Sequence, residues 1–229
     1  MNDSNYFIEY NGHQINVKTF RKNLITWGKV NFRPFPWRFT RDPYKILVAE
    51  IMLKRTQAKQ VVPVYNNFIA RYPEISSLRG LSKEKLHLTL GSLGLRWRVD
   101  LFFEMINILF KEYCGKIPCG YDELMSLPGV SYYTAGAVRC FAWNYPEALI
   151  DTNTMRIVCR VFGKKIVDSI RRNKEFMGLM KLLVDPEFPG AYNFALLDLA
   201  DSICIKRDVP VCKSCPVLIE CNAGQYPMN

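Results

Sequence analysis

The sequence predicts a nearly all-α fold. Apolar residues recur at helical spacing from residue 19 to residue 203, the separators between these stretches are short and hold Gly or Pro, and a hairpin pattern is found near the N-terminus. In that first stretch, FIEYNGHQINV (7–17), Asn11-Gly12 lies between two runs rich in Ile, Val and aromatic residues. Asn-Gly accepts the positive φ of a two-residue turn, so a small β-hairpin is expected. A helix is expected over 19–31, stopped by Arg33-Pro34-Phe35-Pro36. A second is expected over 43–56, with Pro43 in a first turn where a missing N–H costs nothing. Further helices are expected over 58–71, 82–91, 97–113, 121–126, 131–143, 152–162, 172–184 and 190–203, with no internal repeat or low-complexity linker between them.

The chain has 229 residues, enough for one large domain or two small ones around a shared cleft, and 49% of them are hydrophobic, as in a globular protein. Lys and Arg number 31 against 21 Asp and Glu, a net charge of +10. That excess points to a polyanionic partner, nucleic acid before membrane. No apolar run is long enough to span a bilayer, and the polar, acidic start Met1-Asn2-Asp3-Ser4 is unlike a signal peptide. With eight Cys, these features lead us to expect an intracellular protein, in the cytoplasm or nucleoid, whose clustered thiols hold metal rather than form disulfides.

Four of the thiols, Cys204, Cys212, Cys215 and Cys221, fall within eighteen residues. Zinc usually takes two C-x2-C knuckles, whereas a [4Fe–4S] cluster tolerates one such pair with wider outer spacings. Only Cys212 and Cys215 form a C-x2-C pair, which favours iron–sulfur over zinc. The scattered Cys114, Cys119, Cys140 and Cys159 read as small core residues. Lys206, Arg207 and Lys213 surround the tail, and Arg160, Lys164, Lys165, Arg171, Arg172 and Lys174 make a basic stretch suited to phosphate contact or to a solvated face.

Residues 127–135 read LPGVSYYTA between helical patterns. A tight Pro-Gly turn into a helix leaves backbone N–H groups without intrahelical partners, and these can hold one phosphate without reading sequence. Asp151 precedes the helix expected over 152–162 and has the chemistry of an N-cap. Glu50 lies among Val48, Ile51 and Leu53, either on a solvent face or buried.

Together, LPGVSYYTAGAV (127–138), LIDTNTMRIVCRVFG (149–163), NFALLDLADSIC (193–204) and the Cys tail resemble the helix-hairpin-helix DNA glycosylases with an iron–sulfur loop, the superfamily of endonuclease III and the A·G adenine glycosylases. PFPWRFTRDPYKILVAEIMLKRTQA (34–58) looks most like the glycosylases acting on T·G and U·G mismatches. The resemblance covers about residues 20–222. It implies a two-lobed fold: an N-terminal extension with the hairpin over 1–18, a six-helix barrel lobe over 40–150, and a cluster lobe from 19–39 and 151–229. Two departures accompany it. Seven residues separate Cys204 from Cys212 where the family has six, and Ser131 stands where the hairpin usually has a second Gly. If that position needs φ > 0, Ser is costly; if it opens the helix, Ser can cap it.

The resemblance also implies roles. Asp151 would stabilise positive charge on the sugar as the N-glycosidic bond breaks. Glu50 would protonate or hydrogen-bond the departing base, and Asn153 would position water or sugar. Tyr133 occupies the place where bifunctional relatives carry a Schiff-base Lys; a phenol forms no imine, so a monofunctional enzyme is expected. Such enzymes extrude their target nucleotide. Arg55 corresponds to the inserted wedge, with Gln57 beside it. Gly94-Leu95-Arg96 corresponds to a second probing loop, and Gly129, Val130 and Ser131 to the phosphate-holding turn. Cys204, Cys212, Cys215 and Cys221 would hold a [4Fe–4S] cluster. Residues 50, 133 and 151 are expected to converge on one pocket, the partner to be double-stranded DNA with a mismatched or damaged base, with no membrane, and the protein to act as a monomer.

The favoured reading is excision of thymine or uracil opposite guanine. The alternative is an adenine glycosylase acting on A·G or A·8-oxoguanine; with about eight residues after Cys221, no 8-oxoguanine-reading domain is expected, which counts against it. A silent DNA-binding module or a zinc-stabilised regulator is a further class, against which the pairing of Asp151 with Glu50 argues.

Overall fold

The structure, a computed structural model, describes residues 6–10, 12–94, 96–206 and 209–225. They are mainly helical, with one two-stranded sheet, as expected. Strands β1 (Phe7–Tyr10) and β2 (His13–Asn16) pair antiparallel with Ile8 opposite Ile15 and Tyr10 opposite His13. This register leaves two residues for the turn. Gly12 supplies a φ of 75°; Asn11 lies outside the described residues.

The helices are α1 (Val17–Val30), α2 (Pro43–Leu53), α3 (Ala58–Arg71), α4 (Lys83–Leu90), α5 (Arg96–Glu112), α6 (Tyr121–Ser126), α7 (Tyr132–Trp143), α8 (Thr152–Val161), α9 (Lys174–Leu183), α10 (Pro189–Ser202) and the single turn α11 (Asn222–Gln225). Several helix starts carry a side-chain cap. Asn16 accepts from Thr19 N at the start of α1, Asp42 from Tyr44 N before Pro43, and Ser82 from Lys85 N before α4. The expected helix over 43–56 ends earlier, at Leu53, because the chain turns left-handed at Arg55, with φ 56°. Short 3-10 turns at Pro36–Phe39, Ile75–Leu78, Gly91–Leu93, Asp168–Arg172 and Cys212–Ser214 were not anticipated. Segments this short are too brief to show a hydrophobic period.

The chain divides into two compact units, one comprising residues 1–33 and 146–229, the other residues 34–145. The first has its core on Phe20 and Leu24 of α1, Val158 of α8, Phe176 and Leu183 of α9, and Tyr192 and Leu199 of α10, all at most 2% exposed. Gly28 lets α1 approach α10: a Cβ there would lie 2.4 Å from Ala195 Cβ. Gly28→Ala is therefore expected to destabilise the protein by about 1–3 kcal/mol, as overpacking does, measured as a lowered midpoint in urea unfolding. The β-hairpin closes one side of this core. Ile8 and Ile15 are buried, the Tyr10 ring meets Phe162 edge-on at 5.9 Å, and His13 Nε2 lies 2.7 Å from the Glu220 carbonyl.

The second unit packs around α2, in which Tyr44 and every residue from Ile46 to Met52 are buried. It meets α3 through Val61, Tyr65 and Phe68, α5 through Phe102 and Met105, and α7 through Ala135 and Val138. Two cysteine expectations are corrected here. Cys140 and Cys159 are core residues, but Cys114 and Cys119 are exposed. Cys114 sits at φ 53° just beyond α5, where the chain turns outward, and Cys119 lies in the loop to α6, its carbonyl accepting a bond from Arg139.

Candidate active site

In the second unit, residues 127–131 form a tight turn between α6 and α7. Gly129 has φ 78°, a conformation that suits glycine, and Val130 N donates to Leu127 O at 3.1 Å. Ser131 resolves the two readings of its position. Its φ is −105°, its Oγ accepts from Thr134 N at 3.2 Å, and it pairs with Thr134 Oγ1 at 3.0 Å, so it is the N-cap of α7. The left-handed residue of the turn is Gly129, and Ser131 carries no backbone strain. This places the turn directly before the N-terminus of α7, the positive end of that helix's dipole.

Tyr132 and Tyr133 diverge, since successive helical residues point about 100° apart. Tyr132 stacks edge-on against Tyr121 at 5.4 Å, and its carbonyl accepts from the Tyr121 hydroxyl, while Tyr133 is half-buried in the next position. Glu50 is 7% exposed, which answers the solvent-or-buried question in favour of burial. One helical turn on, Lys54 donates to the Gly129 carbonyl, tying the end of α2 to the hairpin. Burial depresses the Lys54 pKa, with Arg98 adding to the effect and the Glu50 carboxylate opposing it.

Arg98 of α5, 4% exposed, was not singled out from the sequence. Its guanidinium spans two loops. Nη1 reaches Met52 O at 2.8 Å, Lys54 O at 2.5 Å and Thr56 Oγ1 at 3.1 Å; Nη2 reaches Leu93 O at 3.1 Å. The readable signal was its place on the apolar stripe of α5, in register with Phe102, Met105 and Leu109. Arg55, in the first of those loops, and Arg96, the first residue of α5, are exposed, as is Gln57 at the start of α3; Leu95 lies outside the described residues.

Asp151 lies in the first unit as the N-cap of α8. Its Oδ1 accepts from Asn153 N at 2.9 Å and Thr154 N at 2.8 Å, and its Oδ2 from Asn153 Nδ2 at 3.0 Å. Three donors thus fix the carboxylate in one orientation at the positive end of a helix. The Asn153 amide is held in turn: its Oδ1 accepts from Arg156 Nη1 at 3.0 Å. Arg156, 5% exposed, also donates to the carbonyls of Cys204 and Ala200, both at 2.9 Å. Burial lowers its pKa. Of the residues expected to act together, the second unit therefore holds Glu50, Tyr133, Arg55, Gln57, Arg96 and the turn 129–131, and the first holds Asp151, Asn153 and the four cysteines.

Cys204, Cys212, Cys215 and Cys221 line one cavity of about 750 Å³ together with Arg160, Ile203 and Leu218. Burial pushes the Cys215 thiol up to about 12, with Cys221, Cys204 and Cys212 acting in the same direction. Arg160 departs from its reading as part of a phosphate-contact face. It turns inward, donating to Cys204 Sγ at 3.1 Å and to Ile205 O at 2.9 Å. Lys164 lies over the Tyr10 ring at 3.7 Å, whereas Lys165, Arg172 and Lys174 remain exposed. The extra residue between Cys204 and Cys212 does not keep the four thiols from one cavity. No three His, Cys, Asp or Glu side chains among the described residues are grouped to hold a single metal ion.

No family model matches the chain. A thymine/uracil-DNA glycosylase of Pyrobaculum aerophilum is 36% identical over 210 residues, covering 89% of this chain and 90% of the relative. The human adenine DNA glycosylase is 31% identical over 220 residues, but the chain spans only 40% of that relative. Among solved structures, a thermostable thymine-DNA glycosylase superposes with a TM-score of 0.83 at 30% identity, covering 91% of this chain and 96% of that one. Endonuclease III in a trapped covalent DNA complex shares the fold, with a TM-score of 0.76 at 24% identity over 94% of this chain and all of that one.

Proposed function

Since the chain belongs to the thymine/uracil-DNA glycosylases of the helix-hairpin-helix superfamily, we propose that it excises thymine or uracil paired with guanine and leaves an abasic site. The observation that carries this reading is the Asp151 carboxylate, held by three donors at the N-terminus of α8. Cleaving an N-glycosidic bond builds positive charge on the sugar, and a carboxylate that cannot rotate away stabilises that charge with little reorganisation. Asn153 keeps Asp151 in place and offers its amide to water or sugar. Glu50, buried at the far end of the α2 turn that ends in Lys54, hydrogen-bonds the departing base. Tyr133 contacts the nucleotide without covalent chemistry, because a phenol forms no imine with the sugar. The reaction then ends at the abasic site.

Double-stranded DNA is the partner, met by a protein acting as a monomer inside the cell, at the nucleoid. The turn 129–131 takes one phosphate, and the exposed Arg55 and Arg96 fill and probe the stack once the target base has left it. Arginine suits this task because its planar guanidinium can stack and hydrogen-bond an orphaned guanine. Among the described residues, no helix is long and apolar enough to cross a membrane.

Four thiols around one cavity, with a single C-x2-C pair and wider outer spacings, suit a [4Fe–4S] cluster better than zinc. Cys204, Cys212, Cys215 and Cys221 would hold it. When bound, it supplies thiolate bonds that cross-link the C-terminal segment to the end of α10. Arg160 gives the Cys204 sulfur a charged donor, and Arg156 holds the Cys204 carbonyl.

The test is a set of duplexes carrying one T·G, U·G, A·G or A·8-oxoguanine pair, incubated with the protein and divided between alkali and neutral quench. Strand breaks at T·G and U·G that need alkali are expected. Breaks without alkali would overturn the role given to Tyr133, and excision confined to adenine would overturn the substrate.

A further inference from the structure

Arg98 places one guanidinium between two chain segments that sequence separates by about forty residues. Nη1 takes the carbonyls of Ile51, Met52 and Lys54 at 3.4, 2.8 and 2.5 Å and the Thr56 hydroxyl at 3.1 Å; Nη2 takes the carbonyls of Leu93 and Gly94 at 3.1 and 3.4 Å. Two of these bonds, to Lys54 O and Thr56 Oγ1, grip the chain on either side of Arg55. Arg55 is held at φ 56°, a left-handed conformation that costs a non-glycine residue free energy and persists only where its surroundings impose it. The Nη2 bonds grip the other segment at Gly94, φ 71°, two residues before Arg96.

Closing the end of α2 requires only donors to its last carbonyls. The bonds to Thr56 Oγ1, Leu93 and Gly94 add nothing to that helix. What they do is set the loop bearing Arg55 in a common register with the 91–94 turn that leads into α5, whose first residue is Arg96. Only a planar group with donors on two separate nitrogens can serve both segments at once, and an ammonium cannot.

We propose that Arg98 is a positioning residue for lesion recognition, locking the 54–56 and 93–94 loops together so that Arg55 and Arg96 engage the duplex as one unit. The proposal rests on the glycosylase reading above. It predicts that base opening depends on Arg98 only through those two arginines.

The experiment compares the unaltered protein and Arg98→Lys, each with and without the pair Arg55→Ala and Arg96→Ala. Single-turnover excision from a T·G duplex and the fluorescence rise of 2-aminopurine placed beside the mispair are the readouts, with thermal melting as a control. Arg98→Lys is expected to lower both excision rate and opening signal about tenfold, a size common for coupled neighbours. In the protein already lacking the Arg55 and Arg96 side chains, the same change is expected to cost less than about twofold. Equal fractional losses in both backgrounds would reduce Arg98 to a structural prop and overturn the proposal. If Arg98→Lys does not fold, Thr56→Val decides the matter, because it removes one loop contact and leaves the guanidinium in place. A lowered opening signal that vanishes in the doubly truncated background is expected, and an unchanged signal would overturn the proposal. Absence of excision by the unaltered protein would instead strike the glycosylase reading, while the opening signal would still report on Arg98.

Discussion

Asp151→Asn is expected to slow single-turnover excision roughly 10²–10³-fold, the usual cost of removing one preorganised electrostatic contact. The substitution separates two duties of one side chain. As an N-cap, Asp151 needs only an oxygen to accept from Asn153 N and Thr154 N, at 2.9 and 2.8 Å, and an asparagine oxygen serves as well. As a partner for positive charge on the sugar it needs a negative charge, which asparagine lacks. Stability should therefore change by less than about 1 kcal/mol, while the rate collapses. Quenched-flow excision from a T·G duplex, alongside urea unfolding of the same preparation, checks both halves. A variant as fast as the unaltered protein would reduce Asp151 to its capping duty.

Arg156→Met should act on stability first. The guanidinium is 5% exposed and supplies donors to the carbonyls of Cys204 and Ala200 and to Asn153 Oδ1. A methionine fills much of the same space but takes the donors from the Ala200 and Cys204 carbonyls, which should cost about 3 kcal/mol. It also frees the Asn153 amide whose Nδ2 holds Asp151 Oδ2, so excision should fall beyond what the lost stability explains. Arg156→Lys should recover only part of either loss, because one ammonium cannot face three separated acceptors. Equilibrium unfolding in urea and excision at a temperature well below melting are the measurements. An unchanged unfolding midpoint would show that the network contributes nothing.

Much of this architecture was legible in the chain. The hairpin followed from Asn11-Gly12, whose turn chemistry is local. The helices followed from apolar period, but the caps Asn16, Asp42 and Ser82 emerged only in the structure, which is why α1 begins at Val17 and not at residue 19. Family resemblance supplied the roles proposed for Asp151, Tyr133 and Arg55, which no pattern of spacing contains. The expectation for Cys114 and Cys119 failed because burial depends on where a loop points, and neither has a periodic stretch around it to report that.

By itself the sequence determined what is set by neighbours along the chain: the N-terminal hairpin, the cap at Asp151, the helical period, and the grouping of four thiols within eighteen residues. Tertiary structure alone decided which acceptors each buried cation meets. From the sequence, Arg160 read as part of a phosphate-contact or solvated face, and Arg98 and Arg156 were not singled out. Each turned inward because a helix end or loop some 40 residues away left carbonyls that needed donors. A hydrogen bond depends on proximity in space, and separation along the chain carries no trace of it.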